Sequence, residues 1–408
     1  MPLDRLETKL KARVDELEAA GVRKGHEAVV TQVLPARQGR GPRFLIEGGG
    51  GKSFLRMNSN SYLGLSFQSE LIASEEAAVA DFGTGPGAVR FISGTWQPHV
   101  ALEQRLAAFH GREAAMIFSS AYATVMGSLP QLADKKTAVI SDALNHSCII
   151  NAVRLAQPGE KRVYPHLDLA VLRKQLDEVK ETCDRAIIVT DGIFSMRGDH
   201  ARLDEIMAIA REYDDAFAEN VLVMVDDSHG AGAFGETGRG TEEVTDSGPS
   251  DLLVATLGKA FGVNGGYVVA SQTVIDFLRE TSPFYIYSNP ITPGEAVAAK
   301  AAVDIVDSPR GRDLLSHLRA MTARFQEGLT AQGLETIAGA HPVVPLMVRD
   351  TARTSAVVKH LRENGVLATG LNYPVVPKGD QCIRFQISAD HTQADIDEAL
   401  AVLAAFPG

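Results

Sequence analysis

Between residues 100 and 271 the chain alternates apolar, β-branched runs with helix-like stretches. This alternation constrains the fold more than any other feature. The runs are AMIFSS (115–120), TAVISD (137–142), AIIVTDG (186–192), VLVMVDD (221–227), LLVATL (252–257) and GYVVAS (266–271). Several are continuously apolar, as expected of strands buried on both faces. A helix-like segment such as HVALEQRLAAFHG (99–111) has the opposite texture, with apolar residues three and four apart. Strand and helix in alternation predict an α/β fold with a doubly wound, mostly parallel sheet.

Outside that block the texture changes. Residues 4–20 carry Leu6, Leu10, Val14 and Leu17 as one apolar stripe on a helix. The stripe suits packing on the chain's own core or on a second subunit. FLIEGGGGKSFLRM (44–57) reads as a hairpin. Its GGGGKS is not a phosphate loop, because Ile46 stands where that motif needs its first glycine. After residue 290, ITPGEAVAAKAAVDIV reads as a long helix, followed by strand-like VVPLMV (343–348) and IRFQIS (383–388). The expected organisation is an N-terminal helix and hairpin segment over 1–57, a large domain over 58–290 and a smaller C-terminal α/β domain over 291–408.

The net charge of −11 provides no basic footprint for nucleic acid or anionic lipid. No apolar stretch reaches the roughly 18 residues of a membrane span. The N-terminus is charged and has no secretory apolar region. Cys148, Cys183 and Cys382 are far apart and form no metal-knuckle or disulfide pattern. A cytoplasmic protein with reduced thiols is expected.

In open α/β sheets, ligands bind at the carboxyl ends of the strands. Ala121 and Tyr122 follow the first run, Asn145 and His146 the second, and Ser195 the third. The fourth ends in Asp226, Asp227, Ser228 and His229, and the fifth contains Thr256 and leads to Lys259. Each has an ordinary explanation alone: a strand-end lysine can reach solvent, and an aspartate can cap a turn. Together they place amine, carboxylate, imidazole and hydroxyl at neighbouring strand ends. A lysine in apolar surroundings can act as a nucleophilic amine. A buried carboxylate can pair with a pyridinium nitrogen and sustain the ring as an electron sink. Asp226 and His229 give two metal ligands with no third nearby, so no metal site is expected. GAGAFG (230–235) matches GxGxxG literally, but DDSH separates it from its strand and no helical pattern follows. A nicotinamide-dependent dehydrogenase is therefore the weaker reading, and the glycines serve a winding loop.

The chain resembles the α-oxoamine synthases, pyridoxal-phosphate (PLP) enzymes that condense an amino acid with an acyl-CoA. The likeness runs through NSNSYLGLS (58–66), VRFISGT (89–95), SDALNHSCII (141–150), TDGIFSM (190–196), VDDSHGAGAFGETGRG (225–240), LGKAFG (257–262), YSNPITP (287–293), YPVVPKG (373–379) and IRFQISADHT (383–392). It implies the PLP-dependent transferase fold type I, with a seven-stranded sheet in the large domain. Lys259 then matches the Schiff-base lysine and general base. His146 matches the imidazole stacked on the ring, and Asp226 the partner of the ring nitrogen. Ser195 and His229 match groups near the phenolic oxygen. Ala121 and Tyr122 by their backbone N–H groups, with the Thr256 hydroxyl, match the phosphate cradle. Ser288 matches a phosphate contact from a second subunit, which implies a homodimer with shared sites. Asn60 and Arg384 match the groups that hold the substrate carboxylate.

YPVVPKG, the Ser288–Asn289 pair and VRFISGT lean towards the 2-amino-3-ketobutyrate CoA ligase (glycine C-acetyltransferase) branch. Glycine and acetyl-CoA are the substrates that lean implies. The decarboxylating branches, 8-amino-7-oxononanoate synthase, 5-aminolevulinate synthase and serine palmitoyltransferase, are the alternative. An aminotransferase or PLP aldolase would share the fold but not the motif set. A non-catalytic partner subunit would have no need of Lys259, Asp226 and His146 together.

Overall fold

The six apolar runs fold as strands of one sheet in the computed structural model, which describes residues 3–19, 23, 27–373 and 375–407. The strands are β1 (Ala114–Phe118), β2 (Thr137–Asp142), β3 (Glu160–Tyr164), β4 (Arg185–Asp191), β5 (Val221–Asp226), β6 (Leu252–Thr256) and β7 (Gly266–Ala270). Their spatial order is β1-β7-β6-β5-β4-β2-β3. All neighbours are parallel except β7, which runs antiparallel to both β1 and β6. This is the α/β architecture with a mostly parallel seven-stranded sheet that the resemblance to fold type I enzymes implies.

Continuous apolar runs follow from burial on both faces. Ile140, Ile188, Val223 and Val225 pack under the helices Leu169–Val179 and Leu203–Tyr213. Their sequence neighbours Val139, Ile187, Val189 and Met224 face a second core with Ile149, Val153, Ile275 and Leu278. Burying each such side chain contributes about 1.5–3 kcal/mol, so register is set from both sides. β3 was not among the sequence-predicted strands. It lies at the sheet edge, and its residues Glu160, Lys161 and Arg162 are half or fully exposed.

The chain divides into two units. One comprises Asn60–Thr322 and Gly339–Pro342 and holds the sheet; the other comprises Met1–Ser59, Ala323–Ala338 and Val343–Gly408. The first division falls two residues beyond the expected 57, the second at 322 where 290 was expected, and the N- and C-terminal segments share one unit. The helix Pro293–Val306 packs on the helices Ser69–Phe82 and Gln97–Phe109, because its alanine-rich faces are buried there. In the second unit the predicted hairpin forms, with Arg43–Ile46 antiparallel to Ser53–Arg56. Its outer strand then pairs in parallel with Val366–Leu367, which joins the N-terminal segment to the C-terminal one. A three-stranded antiparallel sheet places Cys382–Gln386 between Val343–Met347 and Thr369–Leu371. Among the described residues, no helix is long and apolar enough to cross a membrane.

Candidate active site

Five strand ends meet at one cavity of about 260 Å³. Eight of the residues expected from sequence line it: Ala121, Tyr122, His146, Ser195, Asp226, His229, Thr256 and Lys259. They arrive on separate loops, which explains why no contiguous motif spells out the site.

The wall from β1 is a helix start. Ser120 caps the helix Ala121–Ser128 by accepting from the Ala123 N–H at 3.1 Å. Ala121 and Tyr122 stand in the first turn, whose N–H groups have no intrahelical partner and favour an anion. Gly266, at the start of β7, permits this arrangement. A Cβ there would meet Ala121 N at 2.2 Å and the Ser120 carbonyl carbon at 2.3 Å. Thr256 joins the same wall from β6. Its hydroxyl donates to the Gly265 carbonyl at 3.1 Å and accepts from the Gly258 N–H at 3.1 Å.

The acids close β4 and β5. Asp226 closes β5; its Oδ1 accepts from the Ser228 N–H at 3.1 Å, and its Oδ2 accepts from the Cys148 thiol at 3.4 Å. Cys148 Sγ also lies 2.9 Å from His146 Nδ1, which accepts from the Cys148 N–H at 3.3 Å. The thiol thus bridges the imidazole and the carboxylate. Burial and the neighbouring Asp226 push the Cys148 pKa far above the usual thiol range, so it remains protonated. Burial lowers the His146 pKa, against the pull of Asp226 and with the help of Lys259, so its ring is neutral at pH 7.

Asp191 pairs with Asp226 across β4 and β5. Its Oδ2 accepts from the His146 N–H at 3.1 Å, while its Oδ1 is buried without a hydrogen-bond partner. Burial first, and then Asp226, raise its pKa well above the ordinary carboxyl value. Burial beside a second carboxyl group therefore favours the protonated form of Asp191. Sequence reading passed over Asp191, although an acid ending an apolar run is the signal that picked out Asp226. It also passed over Cys148.

Three further expected residues sit on other elements. Ser288 is half-buried after the helix Pro283–Ile286, with Oγ 3.5 Å from the Asn289 carbonyl. Asn60 presents Oδ1 to the Tyr62 hydroxyl at 3.4 Å. Arg384 lies in the second unit, on the central strand Cys382–Gln386, opposite Pro345 and Thr369.

Two motifs resolve as architecture. GAGAFGETGRG winds around Asp227, which accepts from both the Thr241 N–H and hydroxyl at 2.7 Å. Gly232, Gly235, Gly238 and Gly240 all have positive φ there, and no helix begins before Thr241. That is not the helix-opening turn a dinucleotide needs. In VRFISGT, Arg90 makes two 3.1 Å hydrogen bonds to the buried Glu103, a structural ion pair.

Residues 52–403 match the family model for class I and II aminotransferases. The chain is 41% identical to an 8-amino-7-oxononanoate synthase of Geobacter metallireducens, over 90% of this chain and 91% of the relative. It is 40% identical to a 2-amino-3-ketobutyrate coenzyme A ligase of Salmonella typhimurium, over 86% of each. Among solved structures, a serine palmitoyltransferase of Sphingomonas wittichii superposes with a TM-score of 0.88 at 26% identity, covering 99% of this chain and 97% of that one. The chain therefore belongs to the class I and II aminotransferase family, in its α-oxoamine synthase branch of pyridoxal-phosphate-dependent acyltransferases.

Proposed function

We propose that this enzyme condenses glycine with a short acyl-CoA, acetyl-CoA first, to 2-amino-3-ketobutyrate, with release of CoA. The observation that carries the pyridoxal-phosphate chemistry is the convergence of Lys259, Asp226, His146 and His229 on one cavity with a helix N-terminus; the choice of glycine and acetyl-CoA rests on the YPVVPKG, Ser288–Asn289 and VRFISGT segments. The donor set fits pyridoxal phosphate: an amine for its aldehyde, a carboxylate for its ring nitrogen, and helix N–H groups for its phosphate. When bound, the cofactor supplies an electron-withdrawing ring that accepts negative charge from the substrate Cα.

The chain supplies the rest. Lys259 would hold the cofactor through its side-chain amine, and the same amine is the general base placed to take the substrate Cα proton. Asp226 is the partner that keeps the ring nitrogen protonated. The neutral His146 covers the ring without competing for that charge. Ala121 and Tyr122 by their backbone N–H groups, with the Thr256 hydroxyl, would hold the phosphate. Ser195 and His229 serve the phenolic oxygen. Asn60 and Arg384 hold the amino-acid carboxylate, which a guanidinium can grip with two parallel bonds.

We also propose a homodimer in the cytoplasm, with Ser288 reaching the phosphate of the partner subunit's site. Leu6, Leu10, Val14 and Leu17 are all exposed on the helix Asp4–Ala19, and Tyr287, beside Ser288, is 78% exposed. Those surfaces suit contact with a second copy. The buried thiols Cys148, Cys183 and Cys382 suit a reducing compartment.

A decarboxylating condensation with a longer acyl thioester is the second reading. It is favoured by the relatives named 8-amino-7-oxononanoate synthase, which match at nearly the same identity as the ligase. A panel of amino acids and acyl-CoAs, read by free CoA and CO2, separates the two. CoA release from glycine and acetyl-CoA without CO2 supports the first reading. CO2 in step with CoA overturns it in favour of the second.

A further inference from the structure

His229 is held by a residue that strand-end reasoning does not reach. Tyr62 follows Asn60 by two positions and is fully buried. Its hydroxyl oxygen lies 2.7 Å from His229 Nδ1 and 3.4 Å from Asn60 Oδ1. The surrounding groups fix both rings. His341, itself buried, packs edge-on against Tyr62 with 5.4 Å between ring centroids. Its Nε2 donates to the His229 carbonyl at 2.9 Å. His229 is thus tied through its backbone by one aromatic residue and through its ring by another.

A phenol has one proton to give, and a neutral imidazole has one donor and one acceptor nitrogen. The 2.7 Å separation is the ordinary length of a strong hydrogen bond. A phenol is a stronger proton donor than a neutral imidazole N–H, and an imidazole nitrogen is a better acceptor than a phenol oxygen, so the phenol donates to Nδ1 and the imidazole proton resides on Nε2.

We propose that Tyr62 is a positioning residue that locks His229 as the Nε2–H tautomer, making it an obligate hydrogen-bond donor in the cavity. Resting on the reading above, the oxygen it serves is the anionic phenolic oxygen of the cofactor. With the opposite tautomer, Nε2 would present a lone pair to that oxygen and repel it. Tyr62 also links the group assigned to the substrate carboxylate, Asn60, with the group assigned to the cofactor.

The test begins on the full-length, cofactor-free protein with ¹⁵N-labelled histidine, with His229 assigned by His229→Gln. Long-range ¹H–¹⁵N spectra should show Nδ1 as the unprotonated nitrogen and Nε2 as the protonated one. Tyr62→Phe, which keeps the ring and loses the hydroxyl, should shift the Nδ1 signal. A proton on Nδ1 in the wild type overturns the proposal, as does an unmoved His229 in Tyr62→Phe. The wild-type result stands even where the variant folds poorly. With pyridoxal phosphate added, Tyr62→Phe should move the pH midpoint of the visible absorbance band and lower kcat about tenfold, with KM little changed. An unmoved midpoint overturns the catalytic half. A wild type that binds no pyridoxal phosphate overturns the functional reading instead, and the tautomer spectra tell that failure from the other.

Discussion

His166 stands between two carboxylates, with Nδ1 3.1 Å from Asp142 Oδ1 and Nε2 3.2 Å from Asp199 Oδ2. Its ring packs edge-on against Phe194, 4.4 Å between centroids, one residue before Ser195. Burial alone would lower its pKa, but the two carboxylates outweigh burial and raise it to about 9. The folded state therefore favours the imidazolium. The stabilisation is fully present below the ordinary histidine value near 6.5 and is lost as pH rises through about 9. After solvent screening it is worth about 1–2 kcal/mol. Melting curves from pH 6 to 10 should show the wild type losing that advantage over His166→Gln, and parallel curves would contradict it. Neither His166 nor Tyr62 was legible in the sequence as a site-supporting residue. Each lies in a polar or mixed stretch without periodicity, and its partners are far away in the chain. Asp226 and Lys259 stood out because a buried strand precedes them directly.

At the scale of elements, legibility follows burial. The six strands buried on both faces announce themselves, because every residue must be apolar. β3 does not, because half of it faces solvent and its charges interrupt the pattern. The helix Pro293–Val306 was legible as a helix but not as part of the large unit, since its partners lie about 200 residues upstream. Close approaches are also silent in sequence. Gly266 reads as one glycine of GVNGGYV, yet it lets β7 start against the backbone of Ser120 and Ala121. Gly266→Ala has no flexible side chain to displace there, only backbone. It should cost about 1–3 kcal/mol in thermal stability and weaken pyridoxal-phosphate binding in a titration. A variant with wild-type stability and wild-type cofactor affinity would refute the role given to this contact.

At the scale of the molecule, the chain returns on itself, and the N-terminal hairpin shares a sheet with residues 366–367. Only pairing partners reveal that the N-terminal and C-terminal segments belong to one unit. The exposed stripe of the helix Asp4–Ala19 is the whole-molecule feature that sequence did display, and it bears on the proposed dimer. Leu6→Ser, Leu10→Ser and Leu17→Ser combined should raise the dimer dissociation constant by tenfold or more, about 1.4 kcal/mol, in analytical ultracentrifugation. An unchanged constant would remove this helix from the interface. The central claim is that Lys259 holds pyridoxal phosphate in the strand-end cavity. The direct measurement is the absorbance spectrum of the purified chain with the cofactor, followed by borohydride reduction and peptide mapping. The account expects a visible band that borohydride bleaches, a reduced cofactor on the peptide containing Lys259, and neither in Lys259→Ala. A label on another lysine, a band that survives Lys259→Ala, or no band at saturating cofactor would contradict it.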